Sequence, residues 1–153
     1  METTPEALCG MYAALLTPMS ADGDTVALGC VGPLMNYLER GGIDGVLVNG
    51  TTGEFPSLTH AEKTELFAEA ASTHGTMRLM AGCGSSSLPD TLDLLALAAK
   101  KGADAALVPP PFYFRTADLR GIEAFFTAVL GRAELPVLLY HIPSMTGIPI
   151  ERK

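Results

Sequence analysis

Charge is scarce in this sequence and basic charge scarcer. Ten Lys and Arg stand against seventeen Asp and Glu, and charged residues make up 18% of the 153. Without a Lys/Arg cluster there is no electrostatic footprint for nucleic acid or for an acidic membrane surface, so small molecules are the expected partners. No stretch approaches 18 uninterrupted apolar residues, and the amino terminus METTPEALCG lacks a basic segment followed by an apolar core. A soluble, unexported, cytoplasmic protein is expected. Cysteines are few: Cys9, Cys30 and Cys83 are odd in number and show no C-x-x-C spacing. That argues against a disulfide framework and against a zinc site.

Hydrophobic residues, by contrast, reach 48%, with 16 glycines and 11 prolines. Many tight turns between apolar elements in a chain of this length predict one domain, residues 1–153, of α/β layering. Five apolar runs predict buried strands at 11–16, 45–49, 77–81, 104–108 and 136–140. Their near-continuous apolarity predicts cover on both faces. They recur about every thirty residues, the length of one strand-loop-helix-loop unit. Part of this beat is visible as self-similarity, because Gly42-Ile43-Asp44-Gly45-Val46-Leu47-Val48 and Gly102-Ala103-Asp104-Ala105-Ala106-Leu107-Val108 share the pattern G-x-D-small-x-L-V.

Helix start signals fall between the strands. Thr59-His60-Ala61-Glu62 has capping-box spacing ahead of Leu66, Phe67 and Ala70. Ser87, with Asp90 three residues on, opens a stretch that closes at Lys100, Lys101 and Gly102. Thr116 is the expected cap of a helix carrying Ile122, Phe125, Phe126 and Val129. A first helix over about 25–40 is interrupted by Gly29, Gly32 and Pro33, and Pro33 should kink it or delay its start. Strict alternation of strand and helix implies a parallel sheet with right-handed crossovers. Two closures fit: an open doubly wound sheet, or the first five units of a (β/α)8 barrel, which needs roughly 250 residues in full.

Two segments lie at the carboxyl ends of predicted strands, where α/β folds place their active sites. Gly50-Thr51-Thr52-Gly53-Glu54 follows Val46-Leu47-Val48, and Tyr140-His141-Ile142-Pro143 follows Val137-Leu138-Leu139. A glycine-flanked turn with two hydroxyls can hold a small carboxylate through N–H and O–H donors. It can equally be a structural turn whose threonines satisfy local backbone. Tyr140 can shuttle a proton if its phenol meets another hydroxyl, or it can simply cap a strand with its oxygen in water. Tyr113, in Pro109-Pro110-Pro111-Phe112-Tyr113-Phe114, can face a pocket or a neighbouring subunit. Gly82-Cys83-Gly84-Ser85 lacks the third spaced glycine of a dinucleotide fingerprint and the lysine of a P-loop, and reads as loop. Cys83 has no histidine and carboxylate assigned to it, and His60, His74 and His141 read as structural.

These segments, together with Leu16-Thr17-Pro18-Met19, Ala81-Gly82-Cys83-Gly84, Pro111-Phe112-Tyr113 and Thr146-Gly147, occur in the order and spacing of one family. The chain resembles the family of dihydrodipicolinate synthase, N-acetylneuraminate lyase and related 2-keto-acid aldolases from about Tyr12 to Ile150. The resemblance implies an α/β fold, an incomplete (β/α)8 TIM barrel of about the first five βα units. It also implies a Schiff-base lyase or aldolase acting on pyruvate or a 2-keto acid without a cofactor or metal, and a homo-oligomer. By carry-over, Tyr140 is the proton donor and acceptor, Thr51 links it to Tyr113, and Thr52 with Gly53 binds the substrate carboxylate. The family's imine-forming lysine ends its sixth strand. Here the only lysines are Lys63, Lys100, Lys101 and Lys153, none of them at a strand end beside Tyr140. The chain alone is therefore expected to be inactive, with a small-acid binding or assembly module as the alternative. Where dihydrodipicolinate synthases usually carry an arginine, Ser144-Met145-Thr146-Gly147 has Met145, which tilts the expectation toward aldolases of 2-keto-3-deoxy sugar acids or of hydroxy-oxoglutarate type.

Overall fold

The computed structural model describes residues 5–150. Five strands, β1 (Tyr12–Ala14), β2 (Gly45–Val48), β3 (Arg78–Gly82), β4 (Ala105–Val108) and β5 (Val137–Leu139), form one sheet. All neighbours run parallel, and the strand order is β1-β2-β3-β4-β5. Four helices connect or follow them: α1 (Val31–Arg40), α2 (His60–Thr73), α3 (Leu88–Lys100) and α4 (Leu119–Leu130), with a single turn, α5 (Pro143–Thr146), after β5.

Strand order in sequence order separates the two closures. A doubly wound sheet reverses its order partway and carries helices on both faces. Here there is no reversal, and the helices pack on one face. The strand residues Val46, Val48, Leu79, Ala81, Ala106 and Val108 are buried against Met35 of α1, Leu66, Phe67 and Ala70 of α2, Leu94, Leu95 and Ala98 of α3, and Ile122, Phe125 and Val129 of α4. Each helix contributes residues three or four apart, so one stripe meets the sheet. These are five parallel β/α units of a (β/α)8 barrel.

The expectation of cover on both faces is met only in part. Register places Ala14, Leu47 and Met80 in one row and Gly82, Leu107 and Leu138 in another, on the face away from the helices. Along these rows Met80 and Ala105 are buried, Ala14 is exposed, and Leu47, Leu107 and Leu138 are half-buried. Leu16, which follows β1, is 60% exposed. In a closed barrel side chains on this face pack in layers against the opposite strands.

The helix starts follow local chemistry. Thr59 caps α2 in a full capping box, its hydroxyl oxygen accepting from Glu62 N–H while the Glu62 carboxylate accepts from Thr59 N–H. Ser87 caps α3 through Asp90 N–H. The cap of α4 is Asp118 rather than Thr116: its carboxylate accepts from Gly121 N–H at 2.8 Å, and a charged acceptor is the stronger partner for a helix amino end. Pro33 delays α1 without breaking it. The helix begins at Val31, so Pro33 falls in the first turn, where its missing N–H has no partner to lose. A close approach sets Gly82, since a Cβ there would overlap the Asn49 carbonyl of the neighbouring strand end.

Candidate active site

The turn after β2 is bracketed by two left-handed residues, Asn49 (φ 59) and Glu54 (φ 54). Asn49 is buried and donates from Nδ2 to the Lys63 carbonyl at 3.0 Å, tying the turn to the first coil of α2, while its Oδ1 has no partner. Inside the turn, Gly53 N–H donates to Gly50 O, Glu54 N–H to Thr51 O and Phe55 N–H to Gly50 O. The Thr17 hydroxyl donates to Gly53 O at 2.6 Å, and a Cβ on Gly53 would stand 2.9 Å from Leu15 O. Gly53 therefore closes the turn. Its N–H is used within the turn, donating to Gly50 O. Among the described residues, the N–H groups of Thr51 and Thr52 and the Thr52 hydroxyl meet no acceptor, and Thr52 is exposed. They are the donors the turn leaves over.

Tyr140 immediately follows β5, and its N–H continues the ladder to Val108 O at 2.8 Å. Its side chain leans to the carboxyl end of β2, where its phenol oxygen lies 3.2 Å from Thr51 Oγ1. The two hydroxyls border a cleft of about 80 Å³ whose other walls include Phe55, Phe112, Ile142 and Met145. Phe55 and Phe112 meet edge to face at 5.6 Å. Tyr113, which the resemblance brings into the relay from a neighbouring subunit, lies at the surface of this chain. It is 78% exposed and packs edge-on against Phe114.

Lys63 was not anticipated. It is buried on α2, with its ammonium 5.5 Å from the centre of the Phe55 ring. Burial holds its pKa below the ordinary lysine value, and the charge of Asp90 opposes that shift. The available signal was its place four residues after the cap of α2, on the face that carries Phe67 and Ala70. No periodicity places the Thr17 hydroxyl against Gly53, 36 residues away. Lys100 ends α3 and Lys101 caps it, both away from Tyr140, while Lys153 lies outside the described residues. Cys83 is buried, and burial pushes its thiol up to about 12, leaving it neutral and inert. His141 is exposed, and His74 Nδ1 sits 2.6 Å from Met77 O at the end of α2. The described residues contain no group of three metal-ligating side chains, and no described helix is long and apolar enough to cross a membrane.

Parallel β/α units with paired hydroxyls at the carboxyl ends of their strands define the framework of a TIM barrel. Residues 7–153 match the model of the dihydrodipicolinate synthetase family, and the chain belongs to it. It is 41% identical over 145 residues to the 4-hydroxy-tetrahydrodipicolinate synthase of Cutibacterium acnes, a match covering 94% of this chain and 49% of that protein. A 2-keto 3-deoxygluconate aldolase from Picrophilus torridus superposes with a TM-score of 0.86 at 28% identity, over 92% of this chain and 50% of that one. A prophage protein of the family from E. coli K12, solved in complex with pyruvate, superposes with a TM-score of 0.86 at 26% identity, over 93% and 47% of the two chains. The chain thus spans about half the length of the curated relatives it matches, and its sheet corresponds to the amino-terminal half of their barrel. The family is one of lyases and aldolases.

Proposed function

We propose that the chain supplies the carboxylate-binding turn and the proton relay of a Schiff-base lyase or aldolase acting on pyruvate or a 2-keto acid. The observation that carries this reading is the Thr51 to Tyr140 pair, 3.2 Å apart, beside donors that the chain leaves unused. The N–H groups of Thr51 and Thr52 and the Thr52 hydroxyl receive the two carboxylate oxygens. Tyr140 then lies within reach of the carbon skeleton, and its phenol gives and takes the proton that carbon–carbon bond making and breaking requires. Thr51 orients that phenol and passes the proton outward. Exposed Tyr113 completes the relay when it enters from a second copy, which makes a homo-oligomer the working form in the cytoplasm.

The imine that turns the keto carbon into an electron sink needs an amine. No lysine of the described residues ends a strand at Tyr140. The amine therefore comes from the barrel strands beyond these residues. The chain is incubated with pyruvate, reduced with borohydride and weighed by mass spectrometry. No adduct is expected on the chain alone, and an adduct on a lysine of the added half is expected when the chain is produced together with the second half of a relative's barrel. An adduct on Lys63, Lys100, Lys101 or Lys153 overturns the assignment. No adduct in the completed barrel leaves the small-acid binding module instead.

A further inference from the structure

We infer that Thr17 is a positioning residue for carboxylate binding, its hydroxyl holding the turn after β2 in the shape that leaves the N–H groups of Thr51 and Thr52 free; the inference rests on the 2-keto acid reading of that turn. Thr17 does not line the cleft, so it acts through Gly53. Its hydroxyl donates to Gly53 O at 2.6 Å, and among the described residues no backbone N–H donates to that carbonyl. The turn needs such a tie. Asn49 (φ 59) and Glu54 (φ 54), neither of them glycine, both lie in the left-handed region, a conformation that persists only where surrounding contacts determine it. Asn49 is fixed from α2 through the Lys63 carbonyl. At the other end Glu54 N–H is spent inside the turn on Thr51 O, and the polar tie to another element is the Thr17 hydroxyl on the preceding carbonyl.

The anchor is itself held from both sides. Before Thr17, Leu15 N–H extends the β1 ladder to Leu47 O at 2.9 Å. After it, Ala27 N–H donates to Pro18 O at 2.8 Å, and Met19 pairs with Val26 in an antiparallel bridge. Gly53 fits closely against this segment, since a Cβ there would stand 3.2 Å from Thr17 Oγ1. Removing the hydroxyl leaves the partly buried Gly53 carbonyl without its donor, and the peptide then turns to find another. The Thr51 and Thr52 N–H groups lie one and two residues upstream in the same turn and move with it. A misplacement of about 1 Å is enough to cost a binding site much of its effect.

The test is an NMR titration of the isotope-labelled chain with pyruvate, followed at the amide signals of Thr51 and Thr52, with amide hydrogen exchange read at Gly53 and Glu54. Thr17→Val keeps the shape and loses the hydroxyl; it is expected to weaken pyruvate by about tenfold. Exchange at Gly53 and Glu54 is expected to quicken by about tenfold in the same variant. Thr17→Ser keeps the donor and is expected to stay within about twofold of the parent in both readouts. Thr73→Val removes a hydroxyl that donates to Glu69 O at 2.9 Å near the end of α2, and it is expected to leave pyruvate binding unchanged, which separates positioning from a general loss of stability. Should Thr17→Val fail to fold, Thr17→Ala takes its place with the same expectation. Unchanged pyruvate affinity in Thr17→Val, a Thr17→Ser chain as weak as Thr17→Val, or equal losses in Thr17→Val and Thr73→Val overturns the inference. A parent chain that does not bind pyruvate sinks the 2-keto acid reading instead, and exchange then decides on Thr17: quickened exchange in Thr17→Val upholds its hold on the turn, and unchanged exchange overturns it.

Discussion

Thr51 Oγ1 and the Tyr140 phenol lie 3.2 Å apart although 89 residues separate them in the chain. Their meeting follows from a parallel sheet in which β2 and β5 both deliver their carboxyl ends to one rim. Removing either hydroxyl, by Thr51→Val or Tyr140→Phe, is expected to cost about 0.5–1.5 kcal/mol of stability, the net worth of one hydrogen bond. The double variant should cost less than the sum of the two. Urea unfolding of the four proteins measures this, and strict additivity excludes a direct bond. In a completed barrel, the same substitutions are expected to lower turnover by about 10²–10⁴-fold, the usual share of acid-base help.

Lys63 gives stability a characteristic pH dependence. Burial lowers its pKa in the folded chain below the ordinary value of 10.5. In the window between the lowered value and 10.5, the unfolded chain binds more protons than the folded one. Stability contributed by this group therefore rises as pH rises through that window. Lys63→Met has no proton to release. Thermal melts of the two proteins between pH 8 and 10.5 should show the parent gaining stability relative to Lys63→Met, and parallel curves refute the assignment.

Cysteine reactivity separates the exposed thiols from the buried one. Cys9 and Cys30 are exposed, whereas Cys83 is 1% exposed and its thiol is pushed up to about 12 by burial. Iodoacetamide at pH 8 is expected to modify Cys9 and Cys30 while leaving Cys83 unmodified until the chain is unfolded. Peptide mapping after limited alkylation reads this directly. Early labelling of Cys83 would show that the β3 end is open.

Gly82 tests the strand-to-strand approach. A methyl group there runs into the Asn49 carbonyl, which is backbone and held by the buried turn. Gly82→Ala is expected to destabilise by about 3 kcal/mol, the upper part of the overpacking range. Gly29, with nothing within 4 Å of a built Cβ, serves as the control. Gly29→Ala should stay within ~0.5 kcal/mol of the parent. Chemical denaturation of both variants decides, and a mild Gly82→Ala implies that β2 and β3 can separate without cost.

The sequence by itself determined the alternation of strand and helix, because apolar runs, turn glycines and capping side chains act over a few residues. Thr59 with Glu62 and Ser87 with Asp90 were legible for that reason, and so was the rim position of Thr51 and Tyr140. Thr116 was mistaken for Asp118 because two capping residues stood two positions apart and only the helix start chooses between them. Tertiary structure alone decided the rest. The order of the strands settled barrel against open sheet, a choice that thirty-residue spacing does not encode. That the helices all pack on one face of the sheet is likewise a matter of chain path, since local periodicity does not say to which side each crossover runs. The inward turn of the Gly53 N–H to Gly50 O and the surface position of Tyr113 are likewise set by how the loops fold rather than by local pattern. The ammonium of Lys63 over Phe55 and the Thr51 to Tyr140 pair are contacts between segments that no local pattern relates, so only the folded chain brings them together.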